Sequence, residues 1–205
     1  MKYVCLLVII LQMGNCQGNK SRTVALQPLG TFDKRLLDTI SSTIEDIYNF
    51  RVLVYPAKSL PNTAFIKVKS ARYRADSLLD YLGIIKPDSV DHIMGLTASD
   101  ISTTVRDNSG EIKKPLSKYA DWGVFGLGYM PGESSVVSVF RLKHKDQNRY
   151  IERLKKVCIH ELGHNLGLPH CTTYGCIMSD ANETIRTVDN EKLELCSGCK
   201  MIIGR

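Results

Sequence analysis

HELGHNLGLPH, residues 160–170, is the segment of this 205-residue chain that most strongly predicts its fold and its functional site. It follows an apolar stripe at helical spacing, so we predict that an amphipathic helix ends within it. Residues four apart lie one above the other on a helix, and His160 and His164 can therefore aim their imidazoles at one metal ion. Gly167 permits the positive-φ turn that ends the helix and brings His170 to the same ion. The segment thus predicts a zinc ion held by three histidines.

Glu161 gives this site a catalytic rather than a structural character. It is displaced by one residue from the first histidine, so its carboxylate stands beside the metal without binding it. There it can accept a proton from an attacking water molecule and hand it to a leaving amine. A purely structural zinc site is usually closed by four protein ligands and has no need of this carboxylate. The pattern therefore predicts peptide hydrolysis, with Glu161 as the general base.

Four cysteines follow the last histidine and form a second constellation: Cys171, Cys176, Cys196 and Cys199. Their spacing suits a tetrahedral four-thiolate zinc site, and the C-x-x-C pair suits a metal better than a strained short-range disulfide. Two disulfides are the alternative, because an exported protein meets an oxidising environment. We favour a structural zinc, which makes two zinc ions per chain.

These residues together resemble the archaemetzincin family. The family pattern continues the three-histidine motif with cysteines and a methionine at fixed spacings, matched here by Cys171, Cys176, Met178, Cys196 and Cys199. The resemblance is firm from Val157 to Cys199 and covers the upstream elements only in outline. It implies a metzincin-like zincin catalytic domain of α+β class, with a twisted, mostly parallel sheet, an antiparallel edge strand, an active-site helix and a small zinc-braced C-terminal subdomain. It also implies that Met178 forms the turn beneath the imidazoles and is no ligand, and that the substrate is a peptide or a short protein segment.

Hydrophobic periodicity upstream of the motif alternates between helix and strand. We predict helices from Phe32 to Tyr48 with Thr31 as the cap, over Ala71–Leu82, over Asn148–Asn165, and a short one near Asn190–Leu195. We predict strands at Arg51–Tyr55, Ala64–Val68, Asp91–Leu96, Val124–Tyr129 and Val136–Leu142. The last two flank Pro131 and Gly132 and suggest a hairpin, whereas Ser99 to Lys114 reads as a loop on the rim of a cleft. This alternation indicates layered α/β or α+β packing.

The N-terminus has the layout of an export signal. Lys2 precedes an apolar run from Tyr3 to Met13, which is too short to span a membrane as a helix. We therefore predict a signal peptide over residues 1–15, a short linker over 16–30, and one peptidase domain over 31–205, divided near residue 167 into upper and lower subdomains. Cys16 is a candidate for lipidation, which would attach the exported protein to a membrane, and simple secretion is the alternative.

Composition limits the classes of partner. The formal charge of +6 is scattered, and no basic run is interleaved with aromatic residues, so we expect no nucleic-acid partner. An exported, non-catalytic zinc-dependent peptide-binding lipoprotein is the principal alternative to the peptidase, although an intact Glu161 argues against it. A disulfide-stapled adhesion module is a third hypothesis, which predicts sensitivity to reductant rather than to chelator.

Overall fold

A five-stranded sheet forms the centre of the protein, in a computed structural model that describes residues 22–180 and 184–204. Its strands follow the order β2-β1-β5-β9-β8, where β8 is antiparallel to β9 and all other neighbours are parallel. The strands are β1 (Thr23–Leu29), β2 (Arg51–Val54), β5 (His92–Thr97), β8 (Gly126–Gly128) and β9 (Ser134–Ser138). The expected mostly parallel sheet with an antiparallel edge strand is therefore confirmed.

Strand β1 corrects the predicted linker. Residues 23–29, which we expected to lie between the signal and the domain, pair in parallel with β2 on one side and β5 on the other. Residues 24–28 are buried, and the carboxamide of Gln27 donates to the carbonyl of Pro56 at 2.8 Å. A central parallel strand is covered on both faces, so it lacks the polar alternation by which a half-buried strand is recognised. This strand therefore belongs to the central sheet of the domain and not to a linker.

Helices cover both faces of the sheet. Helices α1 (Lys34–Tyr48) and α4 (Gln147–Asn165) pack on one face, and α2 (Ala75–Ile85) packs on the other. Short helices complete the set: α3 (Leu116–Tyr119), α5 (Ile185–Asn190), α6 (Ser197–Ile202) and a 3₁₀ turn at Asn62–Ala64. The two faces bury separate apolar clusters, and the one that contains α1 and α4 extends into the C-terminal subdomain.

Three local predictions were wrong. The cap of α1 is Asp33 rather than Thr31, because the Asp33 carboxylate accepts the amide of Arg35 at 2.9 Å. The C-terminal helix predicted at 190–195 lies at 185–190, where the hydroxyl of Thr184 caps it. Residues 71–74 form strand β4 rather than the first turn of α2, because they pair with neighbouring strands on both sides.

A second, smaller sheet lies beside the first and was not predicted. Its order is β3-β4-β6-β7, formed by Phe65–Lys67, Ala71–Arg74, Ile101–Thr103 and Trp122–Gly123. Strand β6 falls inside the segment predicted as a loop, and its three residues are too few for a periodic signal. Two residues separate the end of its last strand, β7, from the start of the edge strand β8 of the central sheet.

The predicted signal peptide and Cys16 lie outside the described residues. Among the helices of residues 22–180 and 184–204, none is long and apolar enough to cross a membrane.

Candidate active site

Helix α4 ends in a turn that redirects the chain towards the site. Gly167 has φ of +88°, and its amide donates to the carbonyl of His164 at 2.8 Å. The next amide, of Leu168, donates to the carbonyl of Gly163 at 3.0 Å. These two bonds form a Schellman motif, in which glycine avoids the steric cost of a left-handed backbone. The turn brings His170 back beside the last two turns of the helix.

The three histidines converge, with ring centroids separated by 4.6 Å (His160–His164), 4.9 Å (His164–His170) and 5.3 Å (His160–His170). One ligand nitrogen of each lies within 4.8 Å of the other two. Their burial decreases from His160 to His170, whose side chain is 48% exposed. The group therefore sits on the floor of a cleft and is open on the side of His170.

Each imidazole is oriented through its Nδ1 atom. The Nδ1 of His160 lies 2.8 Å from the carbonyl of Ile177, and that of His164 lies 2.8 Å from the carbonyl of Leu168. Asp180 lies 3.5 Å from the Nδ1 of His170. A carbonyl partner requires the Nδ1–H tautomer, which leaves the Nε2 lone pair available to a metal. Burial lowers the pKa of His160 to about 3 and also lowers the pKa of His164, so both rings are neutral, as ligation requires. This donor set fits zinc.

Glu161 is buried beside these rings. Burial raises the pKa of its carboxyl to about 8, because desolvation disfavours the charged form, and a divalent cation bound by the histidines would favour that form. Its side chain packs against Gly126 of β8, where an added Cβ would lie 2.6 Å from Glu161 Cγ and 2.7 Å from Oε1. At Gly128 an added Cβ would lie 2.6 Å from the Glu161 carbonyl oxygen. The two glycines therefore let the edge strand approach the catalytic turn of α4 closely.

The cleft has a volume of about 840 Å³ and contains all three histidines and Glu161. Residues 122–128, which lead into and form β8, line one side, and Asp180, Val188 and Glu191 of the C-terminal subdomain line another. Its dimensions suit a peptide segment rather than a single small ion.

Met178 is fully buried beneath α4. Its Sδ would lie 2.4 Å from a Cβ added at Gly163, and the hydroxyl of Tyr48 would lie at 3.0 Å. The same hydroxyl donates to the carbonyl of Ile159 at 2.9 Å. Gly163 stands between the first two histidines in sequence, so Met178 supports the helical segment that carries them.

The four cysteines also converge, and each offers a sulfur within 4.8 Å of the others. The Sγ atoms of Cys171 and Cys196 are 3.7 Å apart, as are those of Cys176 and Cys199. A tetrahedral zinc with Zn–S bonds of about 2.3 Å requires S···S separations of about 3.8 Å. Amides of Thr173 and Cys196 point at two of the sulfurs at 3.4 Å. Both separations exceed the S–S bond length of about 2.0 Å, so this arrangement fits the zinc hypothesis better than the disulfide alternative.

Backbone hydrogen bonds favour the ionised form of one thiol in the metal-free cluster. The pKa of Cys196 is lowered to about 6, first by the amide of Cys199, whereas burial raises the pKa values of Cys176 and Cys199. A divalent cation would supply the charge that the remaining thiols need to ionise.

Several residues of the site escaped the sequence analysis. The carboxamide of Asn165 donates to the carbonyls of Tyr129 and Ser134, at 2.9 and 2.8 Å, and fastens the β8–β9 hairpin to the end of α4. Arg141 and Glu191 line the cleft from distant parts of the chain. The pKa of Glu191 is raised to about 7 by burial, and its Oε1 is buried with no hydrogen-bond partner within the described residues. None of these residues belongs to a spacing pattern that could have marked it.

Comparison with known proteins identifies relatives of the whole domain. A family model described as peptidase family M54 matches residues 28–205. The archaemetzincin of Methanopyrus kandleri is 35% identical over 146 residues, which is 71% of this chain and 73% of that protein. The archaemetzincin of Haloquadratum walsbyi is 29% identical over 189 residues, which is 88% of this chain and 98% of that protein.

Two solved structures of archaemetzincins have a fold similar to that of this chain. The crystal structure of the Methanopyrus kandleri archaemetzincin aligns with a TM-score of 0.73 at 28% identity, covering 92% of this chain and 96% of that one. The Archaeoglobus fulgidus archaemetzincin, crystallised in complex with malonate, aligns with a TM-score of 0.69 at 26% identity, covering 88% and 99%. The expected resemblance is confirmed: this chain belongs to the archaemetzincins of peptidase family M54, and it is a zinc-dependent metallopeptidase.

Proposed function

We propose that the protein hydrolyses bonds in peptides or short protein segments, with Glu161 as the general base and with His160, His164 and His170 as the ligands of the catalytic zinc. One observation carries the proposal: the buried carboxyl group of Glu161 stands beside three converging imidazoles in one cleft. A structural metal site would use a fourth protein ligand, and Glu161 would then have no function.

His160, His164 and His170 would hold the zinc ion, which when bound would acidify a water molecule and polarise the carbonyl of the scissile bond. Glu161 accepts the proton of the attacking water, and the C–O bond forms as the carbonyl π bond opens. Glu161 then delivers that proton to the leaving nitrogen as the C–N bond breaks. The carboxylate is thereby regenerated. Burial excludes competing water from it, and the contact with Gly126 restricts its position.

The edge strand β8 supplies the means of holding the substrate. Its only partner in the described sheet is β9, so its other edge can pair with an extended peptide. Because Gly126 and Gly128 bring β8 against α4, a peptide paired with β8 runs beside Glu161. Backbone pairing carries no sequence preference, so specificity falls to the side chains that line the cleft.

The test compares Glu161→Gln with Glu152→Gln, a matched change on the partly exposed face of the same helix. We expect Glu161→Gln to retain zinc, measured by elemental analysis, and to lose about 100-fold or more of its turnover of a peptide library. Glu152→Gln should keep both. Turnover that survives Glu161→Gln would sink the proposal, and full peptide binding without turnover in the wild type would favour the non-catalytic lipoprotein.

A further inference from the structure

Arg141 lines the cleft and is held in place by two contacts, one with Asp100 and one with Gly123. It follows β9, and its guanidinium contacts Asp100 through two hydrogen bonds, Nε to Oδ1 at 2.7 Å and Nη2 to Oδ2 at 2.8 Å. It also lies against the backbone of Gly123, where an added Cβ would fall 2.2 Å from the guanidinium carbon. Two contacts therefore fix the orientation of a charged group that lines the cleft.

The guanidinium retains unused hydrogen-bonding capacity. About a third of the Arg141 side chain is exposed (34%), and its Nη1 makes no hydrogen bond or ion pair within residues 22–180 and 184–204. Asp100 is buried and is shared with Arg72, whose Nε lies 3.4 Å from it. Arg72 also lies 3.6 Å from the buried Asp121. Two arginines thus balance two buried carboxylates, while Nη1 presents two N–H donors to a ligand.

Two lysines lie against aromatic residues that are neighbours of Gly123 and Arg141 in sequence. Lys118 Nζ lies 5.0 Å from the ring centroid of Trp122, which lines the cleft next to Gly123. Lys143 Nζ lies 5.7 Å from the ring centroid of Phe140. The acidic cleft residues Asp180 and Glu191 belong instead to the C-terminal subdomain. The lysines add positive charge near Gly123, where Asp100 and Asp121 are already paired with arginines.

The distance from the reaction limits which part of a substrate can reach this end. Gly123, against which Arg141 lies, precedes Gly126 by three residues, and Gly126 contacts Glu161. Three residues of extended chain span at most about 10 Å. A peptide paired with β8 would therefore place a group within three residues of the cleaved bond beside Arg141.

We propose that Arg141 forms a specificity subsite for a substrate carboxylate, and that Asp100 positions its guanidinium for this contact. This inference rests on the proposed peptidase function. The carboxylate has two sources, an aspartate or glutamate side chain within three residues of the cleaved bond, or the C-terminal carboxylate of a short peptide. The guanidinium of Arg141 is held by one carboxylate and has an Nη1 group without a partner in the described residues, so it is suited to bind a second carboxylate in the cleft.

The experiment measures kcat/KM of the zinc-loaded enzyme on peptides that differ by glutamate or glutamine at each position around the cleaved bond. Each peptide is prepared with a free and with an amidated C-terminus, which separates the two sources. We expect a preference of about tenfold or more for the charged peptide at one position, or for the free C-terminus, because hydrogen bonds to charged groups are strong. The preference should fall as ionic strength rises.

Arg141→Gln should reduce this preference to about unity, and Arg141→Lys should restore part of it. Arg35→Gln, which removes an exposed arginine on α1, is the matched control and should keep the preference. The midpoint of thermal unfolding and the zinc content of each variant report any structural effect. Such an effect would lower kcat/KM for all peptides alike and leave the ratio between charged and neutral peptides unchanged. A wild type that cleaves both peptides equally in a Glu161-dependent reaction would overturn the subsite and leave the peptidase function intact. Absence of all Glu161-dependent cleavage would overturn both.

Discussion

Gly126→Ala tests how closely the edge strand and the catalytic carboxylate are fitted to each other. The new Cβ would stand 2.6 Å from Cγ, 2.7 Å from Oε1 and 2.9 Å from Cδ of Glu161. All three close contacts are to one side chain, so the strain is relieved by displacing that carboxylate rather than the backbone. Since the site is buried, the added methyl costs about 1–3 kcal/mol of stability. The midpoint of thermal unfolding should fall by about 2–12 °C, at about 2–4 °C for each kcal/mol in a chain of this size.

The loss of activity should exceed what this loss of stability explains. A misplacement of about 1 Å at a catalytic group costs on the order of 100-fold in rate, whereas zinc content should not change, because none of the close contacts is to a histidine. Circular dichroism, elemental analysis and kcat on a library-derived peptide are the assays. Gly83→Ala in α2 is the control, because an added Cβ there has no neighbour within 4 Å and a helical alanine is favoured over glycine. Wild-type kcat and unfolding midpoint in Gly126→Ala would refute the reasoning.

Further predictions concern pH, metal and the N-terminus. Below pH 6.5 the lowered pKa values of His160 and His164 make the metal-free protein lose stability as the pH falls, because the unfolded state takes up more protons. The raised pKa values of Glu161 and Glu191, about 8 and 7, oppose this trend as the pH rises from 4.5, so between about pH 4.5 and 7 the stability of Glu161→Gln measured by calorimetry should rise more, or fall less, than that of the wild type. An equal pH dependence in the two proteins would contradict this. Chelator should lower the unfolding midpoint of the C-terminal subdomain, because it removes the zinc that the four cysteines would hold, while mild reductant leaves the midpoint unchanged; the reverse result in circular dichroism would support disulfides. Cys16→Ser should move the expressed protein from the membrane to the soluble fraction, and an unchanged distribution would remove the lipoprotein hypothesis.

The sequence could predict which histidines and cysteines converge because the geometry of each cluster is local. His160 and His164 share one helix. The turn that brings in His170 is set by the positive φ of Gly167 and two backbone hydrogen bonds. The predicted start of α4 differs from the observed start by one residue, since the apolar stripe of a long amphipathic helix is periodic over its full length. Convergence of the four cysteines likewise needs only a short chain segment.

The walls of the cleft depend on contacts between distant segments and could not be predicted. Arg141 is one of many scattered cations in the sequence, and only the fold brings it to Asp100, 41 positions away, and to Gly123. Strand β1 was missed because burial on both faces removes the alternation that marks a strand. In each case the deciding interaction is tertiary, and periodicity within one segment carries no information about it.

The Gly-Leu-Gly sequence of β8 did contain a usable signal. Alternate residues of a strand share a face, so Gly126 and Gly128 face one way and Leu127 the other. The two glycines face Glu161 and His164 on α4, whereas Leu127 packs against the apolar cluster on the α2 side of the sheet. Two residues without side chains on the same face, two positions apart in a short apolar strand, indicate close approach by another element. The spacing of the glycines therefore predicts that another element packs closely on this strand, and the structure shows that this element is the part of α4 that carries Glu161.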